Sequence, residues 1–430
     1  RLNKRILEFL TINMFKVYIN RSYLFHANSN SAYLTKNILS ESNNLTYIII
    51  AIINIFSEII LLLFVTLLLF IYDPFLTLLL ISFLIFVVIF LNFLAKKKLI
   101  EIGSKRQKFD TQRYKLLQKS FGPPIKLIKI LGLEKFYYER YSEIASKYAS
   151  ITTLQIFLQS LPKIFFELLF IISIGTLIIF LIFAGYTLNQ VVITLGFLGV
   201  IFFRLMPSFV KLIGNWNTIR FATGGYKVVY SELKDLNNEI QSNNNIGTLT
   251  FNREIKIKNL SFSFNRDKKE LFKNLNLKII KGSSIGIIGP SGSGKTTLIN
   301  LLCGLIETEE GKLFVDDVDI KNKIKSWQKN IGFVPQQVYL DDDTIKKNIA
   351  LGVEENKIDI DKIFNVLKHS QLYEFVEKQQ DGINTKVGEL GALISGGQLQ
   401  RLGIARALYR DPKLLVLDES TSNLDLNTEK

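Results

Sequence analysis

Gly289-Pro290-Ser291-Gly292-Ser293-Gly294-Lys295-Thr296 is the stretch on which the fold turns. Its pattern, G-x-x-x-x-G-K-T, is that of a loop that wraps phosphates. An apolar run at 285–288 predicts a strand before the loop, and 297–305 predicts a helix after it. Glycines let the backbone curl so that its N–H groups point inward. The helix N-terminus, with Thr297 in its first turn, adds partial positive charge at the same point. Lys295 is placed to reach the β- and γ-phosphates, and the Thr296 hydroxyl to bind Mg²⁺.

Downstream, Asp418-Glu419 follows Leu414-Leu415-Val416-Leu417, a short continuous apolar run that reads as a strand buried on both faces. Asp418 can hold Mg²⁺ through water, and Glu419 can polarise an attacking water as a general base. Between these two signals lies Ser395-Gly396-Gly397-Gln398. It reads as a helix start with a Ser-x-x-Gln capping box. Bare glycines at a helix N-terminus also let a phosphate come close. At 254–264 the apolar positions Ile255, Ile257, Leu260, Phe262 and Phe264 read as a strand, so a soluble α/β domain is expected over 248–430.

Upstream the character changes. Four stretches, 45–71, 75–95, 161–183 and 188–210, are long and apolar enough to span a bilayer. An all-α transmembrane domain is therefore expected over 1–225, with a linker over 226–247. Tyr226 opens a polar amphipathic helix in that linker, and an Asn-rich run follows. The two short turns between paired spans carry no Lys or Arg, whereas 96–147 carries 14 basic and 5 acidic residues. The positive-inside rule puts 96–147 in the cytosol and the turns outside. The same bias accounts for the formal charge of +15 without nucleic-acid binding. The single cysteine, Cys303, permits no intrachain disulfide, and His26 and His369 suggest no metal site. Of the ionisable residues within or beside the spans, Glu58, Lys163, Arg204 and Lys211 are candidates to line a cargo path, while Glu167, like Arg204, lies near a cytosolic end and can snorkel.

Here the motifs reach a known family. Ile394 with Ser395–Gln398 resembles the ABC signature, with Ile for the usual Leu. Ser422-Asn423-Leu424-Asp425 resembles the D-loop, through Ser422 and Asp425. Gln336, after Phe333-Val334-Pro335, resembles the Q-loop glutamine, a Mg²⁺ ligand and catalytic residue in that family. Phe264 sits where the family stacks an aromatic ring on adenine. The segment from Thr385 to Gly391 resembles one typical of the exporter branch. In sum, the chain resembles an ABC exporter half-transporter, with an α-helical membrane domain fused to an α/β P-loop ATPase domain.

The resemblance implies ATP and Mg²⁺ as cofactors, a second copy of the chain as partner, and an inner-membrane location with the ATPase in the cytosol. Short cargo-side similarities, including Gly132–Phe136, Leu161–Phe165 and Arg204–Ser208, resemble flippases of lipid-linked oligosaccharides. Another lipid, a peptide or a small amphiphile is the alternative cargo. An ATP-gated regulatory protein without transport is the alternative of another class. The family has six membrane helices per subunit and a switch histidine well beyond the glutamate that Glu419 resembles. Four spans are read here and the chain stops at Lys430, so the expectation is a fragment, inactive by itself.

Overall fold

The computed structural model describes the backbone of the chain except residues 73, 123, 184, 186–187, 235–248, 264–269, 308–309 and 420–430. It divides into two compact units: Arg1–Arg21 with Phe25–Glu239, and Ser22–Leu24 with Ile240–Lys430.

The first unit is helical. In chain order it holds α1 (Leu2–Asn20), α2 (Tyr23–Asn28, whose first two residues group with the second unit), α3 (Ser31–Lys36), a π-helical turn at Asn37–Glu41, and α4 (Ser42–Tyr72). Then come α5 (Pro74–Phe121), α6 (Ile125–Ile130), α7 (Glu134–Phe183) and α8 (Leu188–Lys234). Helix α4 lies along α8, and α5 packs on α7 and α8. Leu84, Val87, Phe166, Leu205 and Ile213 form one of the buried clusters of this unit. A Cβ on Gly103 would stand 2.2 Å from the Phe221 carbonyl oxygen, so α5 and α8 meet there backbone to backbone. Much of the remaining surface is apolar: Phe56, Phe64, Leu68 and Ile71 on α4 are each at least two-thirds exposed. Such a surface suits hydrocarbon rather than water.

Among the described residues, Ser31–Ile71 and Glu134–Thr176 are long and apolar enough to cross a bilayer. The helix expected from Tyr226 is the last part of α8 as far as Lys234. The rest of that expectation falls on residues outside those described.

In the second unit, β1 (Glu254–Phe262), β2 (Phe272–Ile280), β3 (Glu310–Val315) and β4 (Val318–Asp319) form an antiparallel sheet in the order β2-β1-β3-β4. Ile255, Ile257, Leu260 and Phe262 are buried along β1. The spacing slips by one residue after Ile257, where the register shifts and Asn259 takes φ 49°. That is a β-bulge, and it keeps Leu260 on the core side. The β3–β4 hairpin turns on Asp316-Asp317, both at positive φ (46° and 70°), as a two-residue I′ turn requires. The sheet covers a core closed by Trp327, whose indole N–H donates to the Leu302 carbonyl at 2.8 Å.

A second layer is built from β5 (Ile331–Val334) and β6 (Leu414–Leu417), paired in parallel from Ile331↔Leu414 to Val334↔Leu417. Two sequence expectations are corrected here. Residues 285–288 join no ladder among the described residues, and Ile288 is 97 % exposed. Consequently β6 has only β5 as a described neighbour. Its burial alternates rather than being complete on both faces, with Leu415 and Leu417 more than two-fifths exposed.

Candidate functional site

The helix after the glycine-rich loop is α9, Lys295–Leu302. It starts two residues earlier than the sequence suggests and stops three earlier. The stop has a cause: Gly304 takes φ 63°, and its N–H and that of Leu305 donate back to Leu301 and Asn300. This is a Schellman cap, which only a residue tolerant of left-handed backbone closes cheaply.

At its other end, Gly294 caps α9 in left-handed conformation (φ 93°), and Gly292 takes φ 81°. A Cβ on Gly294 would press on Leu271 and Phe272 at about 3 Å, so this position is glycine on two counts. Lys295 Nζ folds back to donate to the Gly289 carbonyl at 2.7 Å, with the Pro290 carbonyl 3.4 Å away. The ammonium is thus held over the loop's own curl. Pro290, Ser291, Gly292, Ser293 and Thr296 are exposed, Thr297 is half-buried, and no Cβ contact would crowd Gly292. An accessible turn with a cation at its centre fits a polyphosphate.

The carboxylates sit at the end of β6. The Asp418 N–H donates to the Val334 carbonyl at 3.0 Å, which carries the β5–β6 pairing one residue past the strands. Glu419 then turns to φ 49°. Its Oε2 accepts from Gln336 Nε2 at 2.7 Å. Two residues 83 apart in sequence therefore meet. Burial pushes the Asp418 carboxyl above the usual carboxylate range, the Glu419 charge adds to this, and Lys295 opposes it. The oxygens of Thr296, Gln336 and Asp418 are hard donors of the kind Mg²⁺ takes. This donor set fits the cation.

Helix α10 (Gly396–Leu408) carries the third motif. Ser395 caps it, and both arms of the capping box form: Ser395 N–H to Gln398 Oε1 at 2.8 Å, and Gln398 N–H to Ser395 Oγ at 3.4 Å. A Cβ on Gly396 would meet nothing within 4 Å, so the helix end is open to an approaching group. Among the described residues, no hydrogen bond or ion pair joins Ser395–Gln398 to the glycine-rich loop of the same chain. Phe264, Ser422 and Asp425 lie outside the described residues.

Sequence reading missed Gln400 and Arg406 on α10. Gln400 is buried and donates to the Gln336 carbonyl at 3.1 Å. Arg406 donates to the Tyr339 carbonyl at 2.7 Å and the Asn348 carbonyl at 2.8 Å, and burial lowers its pKa. The one available signal was a polar residue interrupting a helix with Leu399, Leu402 and Leu408 on its apolar side.

In the helical unit, Lys211 Nζ stands 2.8 Å from Glu58 Oε1, and Glu58 is only 8 % exposed. Lys163 pairs loosely with Glu167 at 3.9 Å. Arg204 is exposed on α8.

Residues 272–422 match the protein family described as ABC transporter. The chain is 39 % identical over 197 residues to an ATP-dependent lipid A-core flippase of Wigglesworthia glossinidia brevipalpis, covering 44 % of this chain and 33 % of that protein. It is 30 % identical over 325 residues to a mitochondrial iron-sulfur clusters transporter ATM1 of Chaetomium globosum, covering 70 % and 50 %. Its fold is similar to that of a bacterial Atm1-family ABC exporter with ATP bound, with a TM-score of 0.82 and 26 % identity over all of this chain and 75 % of that one. The chain thus spans between a third and a half of the length of these curated relatives.

Proposed function

We propose, from the premise that this chain carries an ABC transporter ATPase domain behind an exporter-type helical domain, that it works as one subunit of an ATP-driven membrane exporter. The observation that carries this reading is the Gln336–Glu419 hydrogen bond at 2.7 Å, at the end of β6 and next to Asp418. A base and a polar side chain that can order water are thus paired, as hydrolysis of a triphosphate held by the glycine-rich loop would need.

In this reading the Gly289–Thr297 backbone and Lys295 grip the phosphates. Thr296, Gln336 and Asp418 would hold Mg²⁺, which supplies charge neutralisation on the β- and γ-phosphate oxygens. Glu419 takes a proton from the attacking water, and Gln336 orients that water and the carboxylate together. Phe264 stacks on the adenine. Ser395–Gln398, with its open helix end, serves the nucleotide of a second copy of the chain. Ser422 and Asp425 belong to the seam between the two copies. One set of motifs per chain makes a symmetric pair the simplest assembly. ATP draws the pair together, and its hydrolysis releases them, a two-state switch at the level of domains.

The helical unit lies in the inner membrane, with the ATPase unit in the cytosol. We assign the cargo to lipid-linked oligosaccharide or polysaccharide precursors, turned over across the bilayer. The lipid A-core flippase among the similar proteins supports a glycolipid. The ATM1 relative favours a second reading, an exporter of other cargo. A charged headgroup costs about 3 kcal/mol per charge at the bilayer centre on insertion scales. Arg204, Lys163 and the Lys211–Glu58 pair offer polar partners along α4, α7 and α8 that offset this. Reconstitution of the full-length protein in vesicles with a labelled polyprenyl-pyrophosphate saccharide tests the assignment. ATP-dependent movement of label between leaflets is expected. ATPase activity without such movement moves the cargo to the second reading.

A further inference from the structure

We propose that Gln400 is a positioning residue for hydrolysis, holding the Gln336 backbone so that the Gln336 side chain stays on Glu419. The proposal rests on the reading of Gln336 and Glu419 given above and adds a residue to it.

Strand β5 ends at Val334, and beyond it Gln336, Gln337 and Tyr339 are exposed. No ladder fixes that segment; side chains of α10 do. Gln400, Gly403 and Arg406 recur at three-residue intervals and share one broad face of the helix. Gln400 Nε2 donates to the Gln336 carbonyl at 3.1 Å, and Arg406 Nη1 to the Tyr339 carbonyl at 2.7 Å. Between them, a Cβ on Gly403 would stand 2.7 Å from a Val338 methyl, so Val338 nests against bare helix. The segment is gripped at three points, and the first lies on the residue that touches Glu419.

The amide of Gln400 is a poor choice for stability alone. The side chain is 1 % exposed, and its Oε1 has no hydrogen-bond partner among the described residues. A half-satisfied buried amide costs stability, and an apolar chain of like volume would fill the space better. Gln336 is itself an exposed residue, so the tie does not bury its side chain. What the amide supplies that water cannot is a fixed position. Since Ser395 caps α10, the same tie makes Gln336 in one site follow the helix that serves the partner copy's nucleotide.

The test compares wild type, Q400M, Q336A and the double variant of the full-length protein in vesicles. Methionine keeps the length and removes the donor. Q400M is expected to lower kcat about three- to tenfold, with ATP affinity within about twofold of wild type and no loss in thermal stability. In the Q336A background the same change is expected to add nothing, because Gln400 acts only through Gln336. An unchanged kcat in Q400M, or an equal loss in both backgrounds, overturns the proposal. So does a fall in stability together with kcat that Q400L, a second apolar replacement, repeats. An E419Q control with normal turnover removes the reading underneath, and is told apart because Gln400 is intact there.

Discussion

Lys36 Nζ lies 2.8 Å from Glu41 Oε1, and solvent reaches neither side chain. Arg106 Nη2 stands 3.2 Å from the other carboxylate oxygen, and Asn44 donates to that oxygen at 3.1 Å. The π-helical turn Asn37–Glu41 puts Glu41 one residue out of α-helical phase, and its oxygen sits where a Cβ on Gly225 would come within 2.2 Å. One carboxylate thus balances two buried cations at the meeting of α3, α5 and α8. Removing one partner of such a cluster leaves uncompensated charge, at a cost of about 3–5 kcal/mol. Glu41→Leu is therefore expected to lower the thermal unfolding temperature of the detergent-purified protein strongly, and Gly225→Ala to lower it as well. An unchanged transition in Glu41→Leu means that water reaches the cluster.

That cluster shows where sequence reading reached its limit. Lys36, Glu41 and Arg106 are ordinary charged residues in a row of helices, and Arg106 comes 65 positions after Glu41. Only the α5–α8 approach permitted by Gly103 and the phase shift of a π turn bring them together. The glycine-rich loop was legible because its residues are contiguous and its chemistry needs glycine at left-handed positions, as Gly292 and Gly294 show. The capping box at Ser395 was legible for the same local reason. Glu419 was legible as a carboxylate after an apolar run, Gln336 came only from resemblance, and their contact is a tertiary fact. The strand expected at 285–288 failed because apolar composition alone does not supply a ladder partner.

Lys295→Ala removes the ammonium that sits over the Gly289 and Pro290 carbonyls. Charge-assisted hydrogen bonds to a phosphate contribute about 1.5–3 kcal/mol each, so ATP affinity should fall about ten- to a hundredfold. Titration with a fluorescent nucleotide measures this directly. Binding at wild-type strength moves the triphosphate away from the loop.

Glu419→Gln keeps the shape of the side chain and removes the carboxylate proposed as the base. Binding of ATP should persist while hydrolysis drops about a hundred- to ten-thousandfold. With ATP bound and uncleaved, the two copies should accumulate in the closed form. Size-exclusion and crosslinking of the full-length protein with and without ATP read that accumulation. Turnover at the normal rate places the base elsewhere.

Asp316 offers a test by pH. Burial pushes its carboxyl up, but the backbone N–H groups of Glu254, Asn252 and Arg253 donate to it and hold its pKa below the ordinary aspartate value. Arg253 and Glu254 approach Oδ1 at 2.7 and 2.8 Å, and Asn252 donates to Oδ2. The native state therefore binds fewer protons than the unfolded chain between the two pKa values. Its contribution is fully present above about pH 4 and is lost as pH falls through the folded pKa. Asp316→Ala should weaken protection of the Asn252, Arg253 and Glu254 amides from hydrogen exchange at neutral pH, after correction for intrinsic rates. Below about pH 4 the difference from wild type should shrink as the wild-type carboxyl takes up its proton. A gap of constant size across that range would mean that the turn is held by its backbone conformation at Asp316 and Asp317, and not by the carboxylate.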